Sequence, residues 1–496
     1  ATLNTSGRLV ARATRVGSDT TLAQMGRLVS EAQTGKARVA RLADRISAVF
    51  VPIVLGIAVL TFAVWMLVTG DLPSALRAGV AVLVIPGDVA LTELSAKPEV
   101  IRHTPSRVIP ADSVLREAAE ALDSSKRITI LAGAGAAGAH DEVVALAERL
   151  QAPIVHALRG KDRIEYDNPY DVGLTGLLGF ASGYHALKEA ETLLILGSSL
   201  PYRQFYPEDA TVIQVDVRGE QIGRRVAVDV PLVGGVKETA QALLPLLRGN
   251  SSSAFLDKAL KHYAKTRKDL DQLATPGRGR VHPQYVARLI DELADDDVVF
   301  LPDVGSPVIW ASRYLTMNGR RRIIGSLSHG SMANAVTQAV GAQAVDPTRQ
   351  VVAMAGDGGL AMMLGELMSF VQNDLPVKTL VFDNDSLNFV ELEMMAAGFV
   401  PYGTSLENPD FAAIAEAVGI KGFRADHTTD LPAVMREFLA HDGPALLVVK
   451  TERQELTIPP SIEFEQAKGF ALYAMRTVLD GKGTKLLDLA KANLRQ

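Results

Sequence analysis

The sequence has no cysteine, which excludes disulfides, thiolate metal sites and cysteine nucleophiles. It has no excess of positive charge. Its 51 Lys and Arg stand against 56 Asp and Glu, a net charge of −5, so nothing favours a nucleic-acid partner, which would want a basic face. There is no low-complexity tract and no internal repeat of short period. An initiator methionine is also missing, so the chain reads as a fragment or a processed product. The first 45 residues are polar and basic, which is not the pattern of a signal peptide. Long apolar runs are scarce too, with one exception. Positions 46–69, ISAVFVPIVLGIAVLTFAVWMLVT, are 24 residues without a charge. About 20 apolar residues span a bilayer core, so a transmembrane helix is expected there. Eight Lys and Arg against three Asp and Glu precede it, which favours a cytoplasmic N-terminus, and one span so oriented would put the following domains outside the cytoplasm; the localisation expected is membrane-associated, at the cytoplasmic face, with the orientation of the helix left open.

What is present from about Pro98 onward is an alternation of strand and helix signals. With 496 residues there is room for about three domains. Apolar runs at Ile128 to Leu131, Leu193 to Leu196 and Val212 to Val215 predict strands, and His140 to Leu150 predicts a helix. The segment Ser251 to Arg280 reads as a surface helix followed by a linker. Further strands are expected at Val298 to Leu301, Val351 to Ala355, Thr379 to Phe382 and Ala445 to Val449. The fold class expected is α/β, with two doubly wound parallel-sheet domains at 99–260 and 281–455. A helical membrane segment at 1–98 precedes them, and a tail at 456–496 follows. That tail carries Leu486, Leu487, Leu489 and Leu494 beside Lys482, Lys485, Lys491 and Arg495, an amphipathic pattern suited to a lipid surface.

The run VVAMAGDGGLAMMLGELMSF reads as strand, tight glycine turn, helix. Gly356, Gly358 and Gly359 permit close backbone approach, and the helix start offers free N–H groups, the pattern of a diphosphate site. Asp357 supplies a hard oxygen suited to Mg²⁺. Asn384 follows the next apolar run, TLVFD, and a parallel crossover brings it beside Asp357. GDGG alone is also an ordinary turn. The strand context, the spacing to Asn384 and the upstream HGSMANA (329–335) set this one apart.

Together these motifs resemble the diphosphate-binding domain of thiamine-diphosphate enzymes. The resemblance implies thiamine diphosphate and Mg²⁺ as cofactors, with Asp357, Asn384 and the main-chain carbonyl of Ser386 as metal ligands. Where the family often has a doubled Asn, the first position here is Asp383. Met332 matches the residue that props the cofactor in its bent form. Gly330, Ser331, Gly358 and Gly359, with Asp385, Leu387, Asn388, Phe389 and Val390, would line the same cofactor, and Phe389 matches a catalytic-site aromatic. DVGLTGLLGF, GSSLPYRQFYP, GSLSHGSMANA and PSIEFEQAKGF resemble the flavin-dependent pyruvate:quinone oxidoreductase branch, from about Gly79 to Gln496. That implies FAD held by Thr175, Gly176, Leu177, Leu178, Ser198, Ser199, Leu200, Pro201, Tyr202 and Asp216. It also implies pyruvate as substrate, a membrane quinone as electron acceptor, a lipid-binding tail and a homo-oligomer. Acetolactate synthase is the alternative within the class. GAGAAG (133–138) fits a dinucleotide fingerprint, but Arg159 rather than an acid follows the next apolar segment, so a nicotinamide site is not expected.

Residues 1 to about 85, including NTSGRLVARATRVGSDTTLAQ and RLADRISAVFVP, resemble a heavy-metal P-type ATPase segment. No Cys-Pro-Cys ion site or DKTG motif follows, so transport is not expected. The glutamate-bearing pyrimidine-binding domain of the family has no counterpart in this sequence, and activity of the chain alone is expected to be impaired.

Overall fold

A computed structural model describes residues 106–277, 280–453 and 464–479 of the chain. The membrane helix expected at 46–69, the whole 1–98 segment and most of the 456–496 tail lie outside these residues. No helix among the described residues is long and apolar enough to cross a membrane.

Two six-stranded sheets, every pairing parallel, form the framework. The first holds β1 (Ile128–Ala132), β2 (Ile154–His156), β3 (Asp171–Leu174), β4 (Thr192–Leu196), β5 (Thr211–Asp216) and β6 (Val230–Val233), in the order β3-β2-β1-β4-β5-β6. The second holds β7 (Val299–Pro302), β8 (Arg322–Ile323), β9 (Val351–Gly356), β10 (Lys378–Asp383), β11 (Lys421–Ala425) and β12 (Ala445–Lys450), in the order β11-β12-β10-β9-β7-β8. Helices cover both faces, so central strands such as ITILA and TLLIL are buried along their whole length and read as unbroken apolar runs. The strands not foreseen are mostly edges, where this signal fades. At β6 alternate residues are exposed and Pro231 sits mid-strand, and in β11 only Ala425 is buried while Lys421 and Arg424 are exposed.

In each sheet the strand order reverses at an internal pair: between β1 and β4 in the first, and between β7 and β9 in the second. Loops leaving such a pair diverge to opposite faces and open a crevice at the carboxyl ends of the strands. Both cavities described below lie at these reversals.

The helix Ala254–Leu273 runs past position 260, where the first domain was expected to end. It buries Phe255, Leu256 and Ala259 on the first domain, while Leu270 joins Leu174, Phe180, Val286, Phe300 and Trp310 in one apolar cluster spanning both sheets' domains. Polar ties reinforce this contact. Arg322 Nε meets Asp162 Oδ2 at 2.6 Å, the Met317 N–H donates to Glu165 Oε1 at 3.2 Å, and buried Arg313 donates to the carbonyls of Leu178 and Gly179. The helix Phe464–Leu479 packs on the helix Asn388–Ala396 through Phe470, Tyr473 and Met395, and Arg476 donates to the Gly398 carbonyl at 2.6 Å.

Candidate functional site

At the β7/β9 reversal the carboxyl ends of three strands converge. β7 leads into Asp303, Val304 and Gly305; β9 leads into the helix Asp357–Met362; β10 leads into Asn384. They enclose a cavity of about 170 Å³ lined by these ends and by Met332, Leu387, Phe389 and Val390. Asp357 is 3% exposed. Its Oδ1 accepts from the Gly358 N–H at 2.8 Å, and its Oδ2 accepts from the Asn384 N–H at 3.2 Å and from Asn408 Nδ2 at 2.8 Å. Burial, with the charge of Asp383 added, pushes its pKa above the ordinary carboxylate value despite these donors. A cation at this carboxylate would reverse that cost.

The donor set fits a hard divalent ion. Asn384 Oδ1 accepts from the Ser386 N–H at 3.0 Å and keeps a second lone pair. The Ser386 hydroxyl is committed to Glu391 at 2.5 Å, so the oxygen it can offer is its main-chain carbonyl. One carboxylate, one amide oxygen and one carbonyl are oxygen ligands of the kind Mg²⁺ takes, and they leave positions for phosphate oxygens and water. Among the described residues no group of three or more His, Cys, Asp or Glu could hold a metal by itself, so phosphate oxygens would have to complete the shell.

Not every expected residue faces this cavity. Asp385 is held in a left-handed conformation (φ 57°), and its carboxylate turns to Lys450 and Arg280. Gly359 turns toward Asp303, whose carboxylate a Cβ at this position would overlap. Gly330 and Ser331 are exposed at the apex of a turn rather than along the lining. The residues Met332, Asp357, Gly358, Asn384, Ser386, Leu387, Asn388, Phe389 and Val390 do line it.

Met332 arrives on a strap, 325–333, that is stapled from within. Asn334 Oδ1 accepts from the Ser326 N–H at 3.0 Å, and its Nδ2 donates to the Ser331 carbonyl and to Asp303 Oδ1, each at 3.0 Å. Asp303 Oδ1 also takes the Asn334 N–H at 2.9 Å. Burial raises the Asp303 pKa to about 6, against the pull of these donors. Neither Asp303 nor Asn334 was singled out from the sequence, although DVG repeats the acid-then-glycine pattern of GDG at a strand end.

A larger cavity, about 810 Å³, opens at the β1/β4 reversal. Thr175, Gly176, Leu177, Leu178, Ser198, Ser199, Leu200, Pro201, Tyr202 and Asp216 all line it, as the resemblance implies. So do Gly133, Gly135 and Gly197, whose backbones touch so closely that no side chain fits between them, and Arg159. The Thr175 hydroxyl is buried with no protein hydrogen-bond partner, which suits a polar ligand atom. Leu327 and Ser328 of the strap close the same cavity, and Arg159 donates to the Ser328 hydroxyl at 3.2 Å. One strap thus borders both cavities.

Comparison with known proteins agrees with this division. Residues 115–243 match the family described as thiamine pyrophosphate enzyme, central domain, and residues 303–449 match its C-terminal TPP binding domain. An uncharacterized 42.6 kDa protein of Pseudomonas amyloderamosa, from the isoamylase 3′ region, is 51% identical over 233 residues, which cover 44% of this chain and 59% of that protein. A putative thiamine pyrophosphate-containing protein of Bacillus subtilis (strain 168) is 29% identical over 418 residues, 84% of this chain and 73% of the relative. The acetolactate synthase large subunit of Lactococcus lactis subsp. lactis (strain IL1403) is 26% identical over 397 residues, 77% and 68% of the two chains. The chain therefore spans between about three fifths and three quarters of the length of these relatives.

Proposed function

The chain belongs to the thiamine pyrophosphate enzyme family, and from that premise we propose that it serves the decarboxylation of a 2-oxo acid such as pyruvate, in the manner of the acetolactate synthases among its relatives. The observation that carries this reading is the meeting of Asp357, Asn384 and Ser386 with Met332 around one crevice at a strand-order reversal. Thiamine diphosphate, when bound, supplies the carbon nucleophile and electron sink, and the protein positions and tunes it.

Asp357, Asn384 and the Ser386 carbonyl would hold the divalent ion that fastens the diphosphate. Met332, reaching in from the strap, would pack against the cofactor. Leu387, Phe389 and Pro307 make the walls apolar and keep water from the reacting carbon. Among the described residues Asp357 is the only carboxylate in this lining, and as a metal ligand it would not be free to act as a general acid or base. Proton transfer to and from the aminopyrimidine would therefore use a group outside this lining, such as one on a pyrimidine-binding domain. General acid–base help of this sort is typically worth about 10²–10⁴-fold. Mixing the full chain with a separately expressed pyrimidine-binding domain and following CO₂ release tests this. CO₂ release that depends on thiamine diphosphate and Mg²⁺, with or without the added domain, supports the reading; no such release in either sample would overturn it.

A second reading is favoured by the 810 Å³ cavity and its unpartnered Thr175 hydroxyl. The size of the crevice and its polar lining support FAD as its occupant, and the strap borders both this crevice and the proposed thiamine site. With a flavin there, pyruvate would be oxidised to acetate and the electrons passed to a quinone. Products decide between the two readings. Acetolactate from the mixed sample supports the first, and acetate formed only with a dye acceptor supports the second.

A further inference from the structure

Three carboxylates crowd the rim of the candidate metal position, and one neutral side chain ties them together. Asn408 Nδ2 donates to Asp357 Oδ2 at 2.8 Å and to Asp383 Oδ1 at 2.8 Å, and lies 3.5 Å from Asp385 Oδ1. The amide's orientation follows from chemistry: ionised carboxylates only accept, so its NH₂ and not its oxygen must face them. The cations nearby serve the other two acids. Lys450 Nζ meets Asp383 Oδ2 at 2.8 Å and Asp385 Oδ1 at 3.1 Å, and Arg280 lies 3.6 Å from Asp385 Oδ2. Asp357 instead meets Asn408 and the N–H groups of Gly358 and Asn384.

We propose that Asn408 is a positioning residue for the divalent-metal site, an inference that rests on the thiamine-diphosphate reading above. It acts through Asp357 and Asp383, not on the metal. By bridging the two carboxylates it lets them stand side by side, with Asp357 turned to the cation and Asp383 held back by Lys450. The need for such a bridge comes from the residue at 383. An acid at 383, where the resembled family often carries a neutral Asn, sets a second negative charge next to the metal ligand. Three carboxylates against Lys450 and Arg280 leave one negative charge, which a dication then reverses. Without Asn408 the two acids would repel, and Asp357 would lose the orientation that presents its free lone pairs to the ion. Asn408 comes from a loop with no motif of its own, packed against the 384–387 turn, where the Leu387 N–H donates to the Thr404 carbonyl and the Leu406 N–H to that of Asp385.

Manganese provides the probe, because its free-ion electron paramagnetic resonance signal disappears on binding. The full chain is titrated with Mn²⁺ in the presence of thiamine diphosphate. Asn408→Ala should weaken Mn²⁺ binding about 10- to 100-fold, the range for removing a group that orients a metal ligand. Adding Asp383→Asn to Asn408→Ala should restore most of the loss, since the repulsion that Asn408 offsets is gone. A purely structural role would make the two changes additive. If the alanine variant does not fold, as judged by circular dichroism, Asn408→Ser keeps one donor and should fall between it and the parent. Unchanged Mn²⁺ affinity in Asn408→Ala, or additive effects in the double variant, would overturn the proposal. Failure of the unmodified chain to bind Mn²⁺ would instead overturn the thiamine-diphosphate reading, and this inference with it.

Discussion

Beneath the first sheet, His156 is fully buried with Asp171 Oδ1 3.5 Å and Glu165 Oε2 3.6 Å from its ring, while Lys161 pairs with Glu165. Burial dominates both titrations: the histidine falls to about 4 and the Asp171 carboxyl rises to about 8. Between pH 4 and 6.5 the two oppose each other, since acidification charges unfolded His156 but lets folded Asp171 keep its proton. From 6.5 to 8 only Asp171 matters. The folded state there holds a proton that the unfolded state has released, so stability falls as pH rises, by up to about 1.4 kcal/mol per pH unit for one proton. Asp171→Asn should flatten denaturant-measured stability over that window, and an unchanged slope would contradict the account. At this scale the sequence was informative only where backbone and side chain speak together. Asp357 and Asn384 were legible because glycines or a strand end frame them. Asn408, Asp303 and the Asp171–His156 pair were not, because loops or neighbouring strands bring them in without a local pattern.

Among elements, the longer buried strands announced themselves; the three-residue β2 and the Asp- and Gly-containing β3 are buried too but present no sustained apolar run, and the edge strands did not stand out. The two-residue β8 and the mixed KGFRA of β11 have too little apolar character to be read. The strap at 325–333 was read through its HGSMANA motif, as part of the thiamine site. Its second role, closing the 810 Å³ cavity with Leu327 and Ser328, depends on how two domains meet, which no single segment encodes. The glycine turn after β9 offers a test of how rigidly these elements fit. At Gly358 a Cβ would meet the flexible tip of Leu387 at 2.8 Å, whereas at Gly359 it would overlap Asp303, which Asn334 holds by two hydrogen bonds. Gly359→Ala should therefore cost more stability, about 1–3 kcal/mol, than Gly358→Ala, although Gly358 is the one that lines the cavity. Thermal unfolding of both variants checks this; equal losses would show that Asp303 yields.

At the scale of the molecule, two parallel-sheet domains share one apolar cluster and one strap, and each places a cavity where its strand order reverses. The α/β class and the two-domain division were legible because parallel sheets write themselves as repeated apolar runs between helices. The contact between the domains was not, since Arg313, Arg322 and Glu165 are ordinary surface-type residues until the partner surface is present. The central claim is that the cavity at the β7/β9 reversal takes thiamine diphosphate only together with a divalent ion, through Asp357. Calorimetric titration of the full chain with thiamine diphosphate, with and without Mg²⁺, and of Asp357→Ala alongside it, tests that claim most directly. The account predicts binding that requires Mg²⁺ and vanishes in the variant. Metal-independent binding, or unchanged affinity in Asp357→Ala, would contradict it.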